Sequence, residues 1–425
     1  MHTPSQPSHW LRNFLTLLLG PKMLVMLLTG FSSGLPLLLT GSTPKYWMAE
    51  EGLELTTIGF FGLVGLPYTL KFLWAPFMDK VIPPFGGRRR GWMLITQLAL
   101  MFSIGSLAFT KPSVHLSLIV VLSLLVTFFS ASQDIVLDAY RREFLRDEEL
   151  GIGSSIFVNG YKIGNLASGA LGLLLADFLS WPAAYIVMGL FMTVGIVATL
   201  LAPEPTIEAS APISFQEAFM GPLLEFCRRP GWLTILLFIL LYKIGDSMAS
   251  EMLSPFWVDL DVSKSTVAGI VKTFGLAASI AGGFIAGLVV YRWGIISSLL
   301  IFGFLQMIST AGFALLAIFG NHLFLLTAVI AFENLTGGMG TTAFVAFMAS
   351  LTDKRFTATQ YALLTSFMGI PRVFAGSTTG FLATTLGWEG FFLLCTLLAI
   401  PGLLLIPKLR QMGTFSTSHT IQAGN

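Results

Sequence analysis

The sequence predicts an all-α polytopic membrane protein: twelve transmembrane helices in two six-helix halves. Three observations carry that prediction. First, 54% of the 425 residues are hydrophobic, only 11% are Asp, Glu, Lys or Arg, and the mean hydropathy is +0.79. Soluble domains carry about 25% charged residues, so this composition excludes a soluble enzyme, a disordered chain and a basic nucleic-acid binder. The formal net charge of +2 indicates no polyanionic partner. Second, apolar segments of the roughly 20 residues needed to cross about 30 Å of hydrocarbon recur at 23–46, 56–78, 91–110, 115–139, 151–176, 183–202, 232–255, 266–290, 295–319, 323–350, 357–385 and 389–407. Third, the longest polar interruption, 203–231, divides those segments six and six.

The elements follow in order. Residues 1–22 form a cytoplasmic segment whose apolar run lacks a small-x-small cleavage site. Trp10 and Phe14 suit a short interfacial helix there. A first bundle spans 23–202, a cytoplasmic loop 203–231, a second bundle 232–407 and a cytoplasmic tail 408–425. Sixteen of the 24 Lys and Arg, among them the run Arg88-Arg89-Arg90, fall on one side, and only Lys45, Lys111 and Lys264 on the other. That asymmetry puts both termini in the cytoplasm. Trp47, Trp74, Trp92, Trp181, Trp232, Trp257, Trp293 and Trp388 fall near span ends, as an aromatic belt requires.

A shift of about 210 residues aligns the halves as a parallel repeat of the kind that forms transporters with a site at the midplane. It brings Lys162 onto Arg372, Phe157 onto Phe367 and Trp181 near Trp388. Gly30, Gly34, Gly160, Gly164, Gly282 and Gly338 lie inside spans, where small residues let helices approach.

An ionisable residue inside a span costs about 2.5–3.5 kcal/mol on insertion scales, so it is expected to be paired or to line a wet cavity. Lys71, Asp134, Asp138, Lys162, Lys243, Asp246, Glu251, Lys272, Glu333 and Arg372 occupy such positions. Lys162 and Arg372 have no acid within one turn of their own helix, which suits an anionic ligand or an interhelical partner. Lys243 and Asp246 share a helix face, as an internal ion pair or as part of a cavity wall. Asp134, a carboxylate beside Gln133, suits proton coupling, and Asp246 is a second carboxylate for that role. Asp79 and Asp138 lie nearer the cytoplasmic ends, within reach of Arg88, Arg89, Arg90 or Arg141, and read as structural or gating contacts.

Three runs of sequence resemble a known family: Ser130-Ala-Ser-Gln-Asp-Ile-Val-Leu-Asp-Ala-Tyr140, Phe72-Leu-Trp-Ala-Pro-Phe-Met-Asp79 with Pro83-Pro-Phe-Gly-Gly-Arg-Arg-Arg-Gly-Trp92, and Phe332-Glu-Asn-Leu-Thr-Gly-Gly-Met-Gly340. They are similar to the AmpG-type muropeptide permeases of the major facilitator superfamily, along essentially all twelve spans. The resemblance implies a bacterial inner-membrane importer of N-acetylglucosamine-1,6-anhydro-N-acetylmuramyl peptides. It further implies proton symport by alternating access, a role in peptidoglycan recycling and a link to β-lactamase induction. The loop after span 2 departs from the general facilitator signature G-x-x-x-D-R-x-G-R-R: Ala75 replaces the Gly, Lys80 the Arg, and Val81-Ile-Pro-Pro-Phe precedes Gly86. For such a cargo, Lys162, Arg372, Lys243 and Lys272 would meet carboxylates. Gln133, Asn159, Glu333 and Asn334, with Asn165 and Tyr161, would meet sugars and amides.

Competing readings are a facilitator for another anionic solute, such as an acetyl-CoA-like cargo or a drug, and a polytopic membrane acyltransferase. The five His fall at termini or span ends, and no metal cluster, phosphate loop or cofactor motif appears in the sequence. The expected partners are therefore the cargo, a proton and the lipid bilayer, with the chain acting as a monomer.

Overall fold

Backbone amides in hydrocarbon must be satisfied within their own segment, which helices achieve. The described elements of the computed structural model are accordingly helical. The structure describes residues 16–53, 57, 61–205, 215–263, 266–353 and 356–411, with the side chains of 49, 215–219, 254, 258, 267–268, 272 and 370–378 excepted. The expected interfacial helix at Trp10 and Phe14 lies outside the described residues.

Among the described residues, eight helices are long and apolar enough to cross a membrane. The expected spans 56–78, 91–110, 151–176 and 357–385 are not in that set as separate helices, for physical reasons. Span 2 is a chain of short pieces, Phe61–Gly65, Leu66–Leu70, Lys71–Leu73 and Ala75–Lys80, since Pro67 and Pro76 remove amide donors. Arg88–Leu107 begins with three arginines and buries Thr96 and Gln97. Leu150–Leu166 gives way to a π-helical turn at Ala167–Leu171. Spans 11 and 12 run together in Thr357–Leu398, interrupted at Gly387, whose φ of 68° suits a residue without Cβ.

The fold divides into two compact units, Met1–Pro222 with Ala349–Leu363, and Leu223–Met348 with Leu364–Asn425. In the first, Pro21–Thr40 crosses Leu150–Leu166 so closely that a Cβ on Gly30 would stand 2.2 Å from the Phe157 carbonyl oxygen, and one on Gly160 2.3 Å from that of Leu27. In the second, the same role falls to Gly282 and Gly338, against the carbonyls of Leu335 and Ser279 at 2.0 and 2.1 Å.

The aromatic-belt expectation needs correction. Trp232 and Trp293 are exposed as a belt requires, but Trp47 and Trp257 are 3% and 5% exposed and belong to the two apolar cores. A large ring beside other rings gains more from packing than from a lipid interface.

Candidate functional site

In the first unit, charge is concentrated at the close of Ala75–Lys80 and Pro112–Phe144 and at the start of Arg88–Leu107. Arg89 is fully buried, donates to Asp79 at 2.8 Å, and reaches both oxygens of Glu143 at 2.5 and 2.9 Å. Arg88 reaches Glu143 at 3.3 Å. Asp79 in turn accepts the backbone N–H groups of Ala358 and Thr359 and the Thr359 hydroxyl. A carboxylate there satisfies orphan donors at the start of Thr357–Leu398 and complements its dipole. Glu204 does the same for Arg88–Leu107, accepting from the N–H groups of Arg89 and Arg90. Arg90 caps the opposite kind of end, donating to the carbonyls of Thr199 and Leu200 at the close of Trp181–Leu201. Arg88 and Arg89 thus share Glu143, Arg89 adds Asp79, and the Arg90 side chain meets only carbonyls.

Further into the same unit, Arg141 is fully buried, paired with Asp138 at 2.9 Å and hydrogen-bonded to the Tyr361 hydroxyl. Its guanidinium lies 4.6 Å from the Phe157 ring centre and 5.4 Å from that of Tyr361, within cation–π range. Asp134, one turn before Asp138, accepts from Ser33 at 2.6 Å, and Lys71 is a charge acting on both carboxylates. Gln133 turns away from them, fully buried, to donate to Ser32 at 2.7 Å. Asn159 is also fully buried, and both its amide atoms lack a hydrogen-bond partner among the described residues. Lys162, one turn further on, is half-buried.

In the second unit the polar groups gather around a helix break and on the two helices beside it. The chain breaks between Trp232–Tyr242 and Ile244–Asp259 at Lys243, whose φ and ψ are −109° and 5°. The break separates residues expected on one continuous face. Tyr242 donates to the Leu299 carbonyl, while Lys243 pairs with Asp246 at 3.1 Å and donates to Gln306 at 3.0 Å. Glu333 accepts a hydrogen bond from Ser309, which also meets Thr336. Asn334, its neighbour, donates to the Ile330 carbonyl, beside Gly275. A recess lined by Tyr242, Asp246, Gln306, Thr310 and Cys395 opens beside the cluster. The side chains of Lys272 and Arg372, both expected to face cargo, lie outside the described residues.

Glu143, Glu204, Ser33, Gln306 and Ser309 were not singled out by the sequence. Glu143 carried a usable signal, an acid beside Arg141 and Arg142 at a predicted span end. Ser33, Gln306 and Ser309 carried none, because uncharged polar residues in spans are common.

The sequence model of the Major Facilitator Superfamily matches residues 23–375. The chain is 43% identical over 400 residues to the anhydromuropeptide permease of Escherichia coli (strain K12), covering 94% of this chain and 82% of that one. It is 32% identical to a putative transporter, AmpG 1, of Rickettsia bellii, covering 91% and 98% of the two chains. These relatives are named as transporters, not enzymes. Two solved structures share the fold at 12% identity and a TM-score of 0.69. The proton:xylose symporter XylE is covered over 93% of this chain and 95% of its own, and FucP in its outward conformation over 92% and 99%. The chain belongs to the major facilitator superfamily and, within it, to the AmpG-type muropeptide permeases.

Proposed function

We propose that the chain imports anhydro-muropeptides, N-acetylglucosamine-1,6-anhydro-N-acetylmuramic acid with or without its peptide, from periplasm to cytoplasm for cell-wall recycling. The proton gradient drives it, by symport and alternating access, as a monomer in the bacterial inner membrane with both termini cytoplasmic. The cargo also connects it to β-lactamase induction. The observation that carries this reading is the 43% identity to the Escherichia coli permease over 94% of the chain. The buried charges supply the chemistry. Lys162, Arg372, Lys243 and Lys272 would compensate the cargo's carboxylates, and Asn159, Asn334, Gln133 and Glu333 its amides and hydroxyls.

Asp134 is the proton carrier in the first unit. It holds a single serine hydroxyl, has Lys71 nearby, and lies one turn from the Asp138–Arg141 pair. Asp246 is the carboxylate for that role in the second. Asp79, with Arg89 and Glu143, is a latch on the start of Thr357–Leu398, and releasing it would uncap that helix. Arg88, Arg90, Asp138 and Arg141 hold the latch region together.

The test is uptake of labelled anhydro-disaccharide peptide into right-side-out membrane vesicles, with and without a protonophore. The reading expects protein-dependent accumulation that the protonophore abolishes. No protein-dependent uptake removes the cargo, and uptake indifferent to the protonophore removes the coupling.

A further inference from the structure

The link 203–231 reads as a polar loop, yet it contains a helix, Phe215–Arg228, with an exposed apolar face. Met220, Leu223, Leu224 and Cys227 follow the i, i+3, i+4, i+7 spacing of one helical face. All four are exposed, the first three at 41% to 49%. On the other side of the helix Pro222 and Phe226 are buried. Gln360 donates to the Pro222 carbonyl at 3.3 Å, and a Cβ on Gly221 would stand 2.9 Å from the Phe356 ring. The helix is therefore seated on protein by one face, and its apolar face is left outward. Arg229 is held by both oxygens of Glu225, one turn back, at 2.7 Å. Arg228, exposed at the flank of the apolar face, makes no ion pair among the described residues.

The position of the helix says what lies opposite that face. Only Arg229, Pro230 and Gly231 separate its end from Trp232–Leu253, a helix long and apolar enough to cross a membrane. Fully extended, three residues reach about 10 Å, so the helix ends within that distance of the point where the span begins. Trp232 and Leu233, which open the span, are exposed as contact with lipid requires. The bilayer is thus the apolar phase already at hand.

We propose that Phe215–Arg228 lies in the bilayer interface, with Met220, Leu223, Leu224 and Cys227 against acyl chains and Arg228 on the phosphates of anionic lipids. A helix so placed sinks its apolar side about 5–10 Å into the boundary of headgroups and acyl chains. The Arg228 stem is long enough to lie along that boundary while its guanidinium meets phosphate oxygens, which accept from it in pairs. The connection between the two bundles is then a membrane-bound element and not a free polar loop. The assignment needs only the bilayer, and stands apart from cargo and proton.

Cys227 supplies the probe, because the other cysteine of the chain, Cys395, is fully buried. A nitroxide is attached to Cys227 of the full chain in vesicles of phosphatidylethanolamine and phosphatidylglycerol. Its relaxation by oxygen, which partitions into lipid, is compared with relaxation by a water-soluble nickel chelate. Oxygen is expected to dominate at Cys227, and at Met220→Cys and Leu224→Cys in a Cys227→Ser background. Dominance of the nickel chelate would put the face in water and overturn the proposal. Weak relaxation by both reagents would mean that protein covers the face, and would overturn it equally. The headgroup contact is read separately. Replacing phosphatidylglycerol by phosphatidylcholine should make the Cys227 label shallower in the wild-type chain and leave it unchanged in Arg228→Gln. An equal response in the two chains would overturn the role given to Arg228.

Discussion

At one end of the first unit Trp47 stacks on Trp181 with ring centres 5.4 Å apart, both meet Tyr185, and the Trp181 indole N–H donates to Glu50 at 2.8 Å. In the second unit Phe256, Trp388 and Phe392 make the same cluster, and the Trp388 indole donates to Asp259 at 2.9 Å. These partners are separated by nearly the 210-residue shift that aligned the halves. The units differ in where they place charge. The first buries Asp79, Arg89 and Glu143 completely, at helix ends, with backbone donors as additional partners. The second places Lys243 and Asp246 at a break between two helices and Glu333 within a third, beside a recess, with the Asp246 side chain 26% exposed. Two units with like aromatic clusters thus hold a sealed charge cluster in one and a partly exposed one beside a recess in the other.

Removing one charge from each copy tests that contrast and has the largest expected effect. Arg89→Leu breaks a fully buried charge cluster, leaving Glu143 with Arg88 alone and Asp79 with only neutral donors, a cost of about 3–5 kcal/mol, and should lower the unfolding midpoint sharply or abolish recovery of folded protein. Lys243→Met leaves Asp246 partly exposed at the recess, so the midpoint should move little while uptake falls. Equal losses of stability in the two variants would break the comparison.

The glycine crossings come next. Gly160→Val and Gly338→Val each force a side chain into a carbonyl, at a cost of about 1–3 kcal/mol or more, read as loss of monodisperse protein on size exclusion. Gly172→Ala, which meets nothing within 4 Å, should be silent.

The helical fold was legible because hydrophobicity over 20 residues is a strong signal, and the aromatic repeat was legible in part. Trp181 and Trp388 aligned by identity. Trp47 with Phe256, and Glu50 with Asp259, escaped because the matching residues share a role and not a type. One partner of the arginine triplet, Asp79, was legible from its place before the triplet, and Arg89 reaches it. The others, a carbonyl pair, Glu143 and a loop Glu204, are brought to the triplet only by tertiary packing. The break at Lys243 was unmarked too, with neither Gly nor Pro at the site.

A smaller and deliberately symmetric effect is expected from Trp181→Phe and Trp388→Phe. Each keeps its ring packing and loses one hydrogen bond, about 1 kcal/mol, and matching shifts in unfolding midpoint would confirm that the two clusters are equivalent. Smallest is the acid response of Glu149, in the link after Pro112–Phe144. Burial pushes its carboxyl up, but the Arg146 backbone N–H and the Lys22 ammonium outweigh it and hold the group below the usual carboxylate range. A depressed folded-state pKa contributes stability at pH values above the ordinary Glu range, and that contribution is lost as pH falls through the folded value. Stability of Glu149→Gln should therefore be lower than wild type at neutral pH and converge with it in acid.

The central claim is that cargo and proton cross together. The direct measurement is external pH on adding anhydro-muropeptide to unenergised proteoliposomes. Alkalinisation outside is predicted as cargo enters wild type, and none with Asp134→Asn. Cargo entry into wild type with no change in external pH would contradict it.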